Sequence, residues 1–217
     1  MKWEIVKIQP VEAREKVKKL LDDCQEEGLT HYPVVQNSVF RGMLRCDDLI
    51  RYPEETPISD LLHMVENFHV SEQKDWTSLF SMFITNETNV IPFLNENGGY
   101  EGLIFLEDIL EDLSEIKAFT IQGTVIRVEK NKEDFSIAQI AQIIQATGGN
   151  LLGVLIIDET PEGVIADVKV DRGDINEILQ SLRRYDYKII SEHKEDLHLQ
   201  ELKEHAAFLN KYLEMGE

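Results

Sequence analysis

The stretch Thr30-His31-Tyr32-Pro33-Val34-Val35 returns 59 residues later as Asn89-Val90-Ile91-Pro92-Phe93-Leu94. Beyond it, Gly42-Met43-Leu44 followed by Asp47-Asp48-Leu49-Ile50 matches Gly102-Leu103-Ile104 followed by Glu107-Asp108-Ile109-Leu110 at an offset of 60. The extra residue falls between the blocks, Gln36-Asn37-Ser38 against Asn95-Glu96-Asn97-Gly98-Gly99, in a turn where insertions cost little. Upstream, Val17, Leu20, Leu21 and Cys24 align with Trp76, Leu79, Phe80 and Phe83. Their spacing of i, i+3, i+4, i+7 marks one apolar helical face in each copy. Each copy therefore predicts a helix, a buried strand, a tight turn, a second strand, and a helix opening on acidic residues. Carboxylates suit that opening because the first backbone N–H groups of a helix lack partners. Pro33 and Pro92 are expected at the start of their strands, where a missing N–H is tolerated. One such unit cannot bury both faces alone, so the copies are expected to pack together.

The charge is unevenly spread along the chain. Of 217 residues, 41 are acidic and 22 are Lys or Arg, a formal net charge of −19. Residues 1–53 carry nine acidic and nine basic side chains, whereas residues 54–115 carry fourteen acidic ones against Lys74 alone. Such acidity excludes a protein whose main task is gripping nucleic-acid phosphates or anionic lipid, both of which need clustered Lys and Arg. The longest apolar run, Leu151 to Ile157 counting Gly153, is far short of a membrane span of about 20 residues. The opening Met1-Lys2-Trp3-Glu4 starts no apolar leader. A cytoplasmic protein with reduced thiols at Cys24 and Cys46 is expected.

Pro33-Val34-Val35, Gly42 and Asp48-Leu49-Ile50 resemble the core of a cystathionine-β-synthase (CBS) motif, and Pro92, Gly102 and Asp108-Ile109-Leu110 resemble a second. The resemblance implies a CBS pair, a tandem module that binds adenine nucleotides or related ligands in clefts between its motifs. It implies that Asp48 and Asp108 accept hydrogen bonds from ribose hydroxyls, chemistry that suits a carboxylate because it accepts twice and with charge assistance. As residues alone, the same two aspartates read equally as helix caps, worth about 1 kcal/mol each. The family commonly carries Thr or Ser three residues earlier, close to a phosphate. Here Arg45 and Phe105 stand there. Arginine pairs with phosphate bidentately, while phenylalanine supplies only apolar area or stacking. Like charges about 4 Å apart repel by roughly 4 kcal/mol at an effective dielectric near 20. A polyphosphate beside Glu101, Glu107, Asp108, Glu111 and Asp112 meets several such repulsions, whereas Arg41, Arg45 and Arg51 offset Asp47 and Asp48. An anionic nucleotide is expected to favour the first site. S-adenosylmethionine is the alternative regulatory ligand.

From Gly123 the pattern changes. Gly123 to Val128 reads as a strand, Ile137, Ile140, Ala141 and Ile144 as a helix face capped by Ser136, and Asn150 to Asp158 as a strand. A turn at Thr160-Pro161-Glu162-Gly163 leads back along Val164 to Val170. Ile175, Ile178, Leu179 and Leu182 mark a second helix, and Tyr187 to Ile190 a last strand. The order β-α-β-β-α-β is the ferredoxin-like arrangement. Together with Gly148-Gly149-Asn150-Leu151 it resembles an ACT domain, which often senses amino acids. The glycine usual in the loop after the first strand is missing from Asn131-Lys132-Glu133-Asp134-Phe135, which sets amino-acid binding against a sheet-pairing, dimer-forming role. A CBS pair followed by an ACT-like domain is similar to bacterial acetoin-utilisation AcuB-type proteins, whose role is regulatory. Leu199, Leu202, Ala206, Leu209 and Leu213 trace a two-heptad seam that packs on its own domain or on a second copy.

No Walker loop, GxGxxG, nucleophile elbow or HExxH occurs, and the six histidines show no ligand spacing, so an enzyme is not expected. The expected class is α/β: CBS motifs at residues 1–55 and 56–118, an ACT-like domain at 119–192 and an amphipathic helix at 193–217. The expected role is a regulatory sensor of an adenosine-type ligand, a homodimer with a regulated partner protein. The alternative is an interaction scaffold whose ligand sites have decayed.

Overall fold

The computed structural model describes residues 4–72 and 74–193, which form two compact α/β units divided between Glu115 and Ile116. Unit 1 opens with β1 (Val11–Glu12), α1 (Val17–Glu27), the hairpin β2 (His31–Gln36) and β3 (Val39–Arg45), and the single-turn α2 (Cys46–Leu49). After a 3-10 helix at Ile58–Met64 come α3 (Trp76–Thr85), the hairpin β4 (Val90–Leu94) and β5 (Tyr100–Phe105), and α4 (Leu106–Ser114). The apolar faces read from the sequence are the buried ones, Val17, Leu20 and Cys24 in α1 and Leu79 and Phe83 in α3. Gly28 stops α1 in the left-handed region that ends many helices, and Asp75 caps α3 by accepting from the Ser78 N–H.

The two hairpins match residue for residue. His31 faces Arg45 as Val90 faces Phe105, Val34 faces Gly42 as Phe93 faces Gly102, and the register slips after Val34 in one and after Phe93 in the other. Only the turns differ. Asn37 and Ser38, at φ 53° and 63°, make the two-residue turn that suits the twist of a hairpin. The longer turn is held by Asn95 Oδ1, which accepts from the N–H groups of Asn97 and Gly99. Pro33 and Pro92 stand third in their strands, not first as expected. Their partners Met43 and Leu103 exchange hydrogen bonds on the far side, with Glu66 and Val6, so no proline N–H is called for there.

Those far-side partners reveal a crossing. Val11 runs parallel to Val34, and Val70 runs parallel to Phe93, so each copy has its own leading segment. The residues just before swap: Val6 bridges Leu103 of the second copy, and Glu66 bridges Met43 of the first. Gly42 and Gly102 admit these segments. A Cβ at Gly42 would stand 2.7 Å from the Glu66 carbonyl oxygen, and one at Gly102 would stand 2.5 Å from that of Val6. One core accordingly takes Val17, Leu20 and Leu44 from the first copy and Val90 and Leu103 from the second.

Cys24 and Cys46, expected as reduced thiols, are joined in a disulfide with their Cα atoms 6.3 Å apart. The fold brings the last turn of α1 against the start of α2, a meeting that a separation of 22 residues in sequence does not disclose.

Unit 2 begins with α5 (Lys117–Thr120) and continues as β6 (Thr124–Lys130), α6 (Ile137–Ala146), β7 (Leu151–Glu159), β8 (Val164–Val170), α7 (Ile175–Arg184) and β9 (Lys188–Ile189). The antiparallel sheet runs β7-β8-β6-β9, the ferredoxin-like order. Alternate residues Val164, Ala166, Val168 and Val170 of β8 are buried, and three of them join Ile126 and Val128 in a core with Ile140, Ile144, Ile178, Leu179 and Leu182 from α6 and α7. Ser136 caps α6 as expected, accepting from the Gln139 N–H. Strand β7 lies at a sheet edge with Leu155, Ile156 and Ile157 about half exposed. The seam from Leu199 to Leu213 lies outside the described residues. Among the described residues no helix is long and apolar enough to cross a membrane.

Candidate functional site

The crossing segments run alongside the two places where the resemblance expects ligand clefts, one at β3 and α2, the other at β5 and α4. In both, the helix starts directly from the strand, with Arg45 and Phe105 as the flanking residues and neither side chain capping. Asp48 and Asp108 are each third in the helix and half-buried, so neither is the N-cap that the sequence allowed. Their surroundings differ. Asp48 Oδ1 lies 3.5 Å from Arg51. Asp108 takes a hydrogen bond from the Phe105 backbone, yet its Oδ2 is buried without a partner among the described residues. Burial raises the Asp108 carboxyl above its ordinary value, and the carboxylates of Glu4, Glu111 and Glu107 push the same way.

Arg45 is engaged. Its Nη1 donates to Glu87 Oε2 at 3.0 Å, its Nε lies 3.4 Å from Glu66 Oε1, and its Nη2 reaches the Asn86 carbonyl at 3.4 Å. The guanidinium therefore ties the end of β3 to the leading segment of the second copy and to the turn after α3. Next to it, His31 is fully buried, with Nε2 3.5 Å from Glu66 Oε1 and Nδ1 3.0 Å from Thr30 Oγ1. Burial holds its imidazole below the ordinary value; Glu66 opposes that and Arg45 adds to it. Phe105, at the matching place in the second cleft, packs half-buried on the shared core.

Between the clefts the equivalent residues Thr30 and Asn89 bond to each other, as a local two-fold axis requires. Asn89 Oδ1 accepts from Thr30 N–H and Oγ1, both at 2.9 Å, and Thr30 Oγ1 accepts from the Asn89 N–H at 3.0 Å. Phe40 and Tyr100, also equivalent, stack with ring centres 6.1 Å apart.

Arg45 and Asp48 thus lie at the junction of β3 with α2, and Phe105 and Asp108 at the equivalent junction of β5 with α4. Sequence reasoning missed Glu66, Glu87 and His31 at the first and Glu4 at the second. The offset of 60 that relates Met43 to Leu103 also relates Val6 to Glu66, and it was the available signal. Two cavities of about 400 Å³ lie near the hairpin turns, one bordered by Lys7, Gln9, Ser38 and Tyr100, the other by Arg14, Gln36 and Ser59. Neither includes Arg45, Asp48, Phe105 or Asp108. Among the described residues no three His, Cys, Asp or Glu side chains gather as a metal site.

No family model matches the sequence, and no curated protein matches it. Solved structures similar to it include a CBS domain pair/ACT domain protein from Thermotoga maritima, 23% identical, covering 51% of this chain and 93% of that one with a TM-score of 0.45. The CBS domains of a transcriptional regulator from Streptococcus pneumoniae are 19% identical over 47% of this chain and 86% of that one, with a TM-score of 0.42. CBSX2 in complex with AMP is 16% identical over 51% of this chain and 90% of that one, also at 0.42. All three TM-scores lie below 0.5.

Proposed function

We propose that unit 1 is a CBS-type pair that senses an adenosine-type ligand and that unit 2 is an ACT-like module to which the response is relayed. The observation that carries this reading is the pairing of Asp48 with Asp108. Two half-buried carboxylates stand at equivalent places, third in the helix that follows each hairpin, and one of them keeps a buried oxygen without a partner among the described residues. A buried acceptor of this kind is costly unless a donor arrives, and ribose hydroxyls are such donors.

The clefts differ in the ligand they suit. In the first, Glu87 is largely exposed, so its ion pair with Arg45 is worth at most about 1 kcal/mol. A phosphate that takes the Arg45 fork loses little by displacing it. In the second, Glu4, Glu107 and Glu111 surround Asp108. That field suits an uncharged nucleoside or the sulfonium cation of S-adenosylmethionine and repels a polyphosphate. The relay works as a population shift, which requires different ligand affinity in two arrangements of the protein. The exposed edge of β7 offers the sheet-pairing surface for the expected homodimer.

A second reading, an interaction scaffold with decayed sites, draws on the engagement of Arg45 by Glu66 and Glu87. Isothermal titration with AMP, ATP and S-adenosylmethionine separates the two. The sensor reading expects AMP binding that falls at least tenfold in Asp48→Asn and Arg45→Ala, and S-adenosylmethionine binding that falls in Asp108→Asn. Absence of binding by all three compounds to the unmutated chain would leave the scaffold.

A further inference from the structure

We propose that Cys24 and Cys46 form a dithiol–disulfide switch that sets the order of α2, the turn that carries the first cleft. The proposal rests on the sensor reading only for its consequence at that cleft.

The two copies, compared at the equivalent positions, point to it. Where the first copy has Cys24 and Cys46, the second has Phe83 and Leu106, both in an apolar cluster with Leu79 and Ile109. There α4 runs for nine residues, whereas α2 is a single turn of four. A helix of four residues has no stability of its own, and Arg45 provides no side-chain cap. What holds α2 is the buried Leu49, a hydrogen bond from the Cys46 N–H to the Thr30 carbonyl at 2.9 Å, and the bond from Cys46 to α1. Cys46 follows Arg45 directly and precedes Asp48 by two residues. Opening the disulfide therefore removes the one covalent restraint on the segment that positions both candidate ligand groups. The second cleft, built on the longer α4 and an apolar contact, has no such dependence.

The oxidant is a low-molecular-weight disulfide such as oxidised glutathione. One cysteine thiolate attacks it, forming a mixed disulfide and expelling one glutathione thiolate. The other cysteine then displaces the second. One sulfur–sulfur bond forms as one breaks, two electrons pass to glutathione, and the two cysteine protons leave on the expelled thiols. Both cysteines are nearly buried, so exchange proceeds through local opening, for which a one-turn helix is the natural place.

The test uses the full chain equilibrated with oxidised glutathione or with dithiothreitol. Alkylation and mass spectrometry count the free thiols, and hydrogen exchange follows the amides of residues 46–52. The expectation is at least tenfold faster exchange there on reduction, no change in residues 106–112, and a melting temperature lower by roughly 10 °C. The Cys24→Ser/Cys46→Ser variant should match the reduced protein in both buffers. A paired Cys24→Val/Cys46→Ala variant, with the polarity removed, guards against mere misfolding. Unchanged exchange at residues 46–52 with both thiols free, or a disulfide that resists dithiothreitol in the folded protein, overturns the proposal. An α2 that loosens on reduction in a protein that binds no nucleotide supports the switch and ends the ligand reading instead.

Discussion

The two copies in unit 1 share strand registers, bulges and crossing segments, yet they complete their clefts with opposite chemistry. The first places an arginine between two carboxylates, a buried histidine and a disulfide. The second fills the same places with Phe105, Val90, and Phe83 beside Leu106. A duplicated backbone therefore does not imply duplicated sites: hairpin geometry is maintained by glycine, proline and runs of buried residues, which leave the residues at the strand–helix junctions free to diverge.

The largest test of this comparison falls on what the copies share. Gly42→Val and Gly102→Val each force a side chain against a crossing backbone, with expected losses of 3 kcal/mol or more, on the order of the severest point changes. Gly42→Ala should be worse than Gly102→Ala, because Gly42 also sits at φ +139°. Denaturant unfolding measures both, and full stability in either alanine variant would break the crossing. Next come the residues that differ. Phe105→Ala should cost about 2 kcal/mol through lost packing, whereas Arg45→Ala should cost about 1 kcal/mol, because its partners are part-exposed. Equal losses would mean that the Arg45 clamp carries more of the fold than its exposure suggests.

The third test is acid. His31 binds its proton less readily folded than unfolded, so its contribution to stability is full above the ordinary histidine value of about 6.5. It is lost as the pH falls through that value toward the lowered one. His31→Gln should flatten the fall in melting temperature between about pH 7 and pH 5, and an unaltered fall would assign the acid sensitivity elsewhere. Arg45→Ala should raise the His31 titration seen by NMR, since the guanidinium contributes to the lowering. The smallest effect separates the aspartates. Asp108 is raised, so it favours the folded state only where it is protonated and disfavours it above that range. Asp108→Asn should therefore stabilise slightly at neutral pH, by less than about 1 kcal/mol, while Asp48→Asn, which gives up a pairing with Arg51, should not.

Much of this was legible in the sequence, for physical reasons. Apolar spacing and the offsets of 59 and 60 located both hairpins, both leading helices and the alternation of unit 2, because these depend on local periodicity. Ser136 was readable as a cap because capping is a contact within one turn. The crossing was not, since pairing Val6 with Leu103 leaves no local mark. For the same reason, dividing the charge by residue number does not show which carboxylates gather where: Glu66 and Glu87 belong to the acidic stretch 54–115 but bond Arg45 at the end of β3, and Glu4, from the start of the chain, lies beside Asp108. The disulfide was hidden for the same reason.

The crossing has a consequence for how the chain is made. Val6 finds its strand partner only when Leu103 exists, so the leader of a growing chain waits through almost the whole synthesis of unit 1. Contacts this distant in sequence are slow to close and leave edges exposed meanwhile. The first copy, though finished early on the ribosome, matures only together with the second, and a ribosome stalled before Leu103 holds an unpaired half rather than a small completed domain.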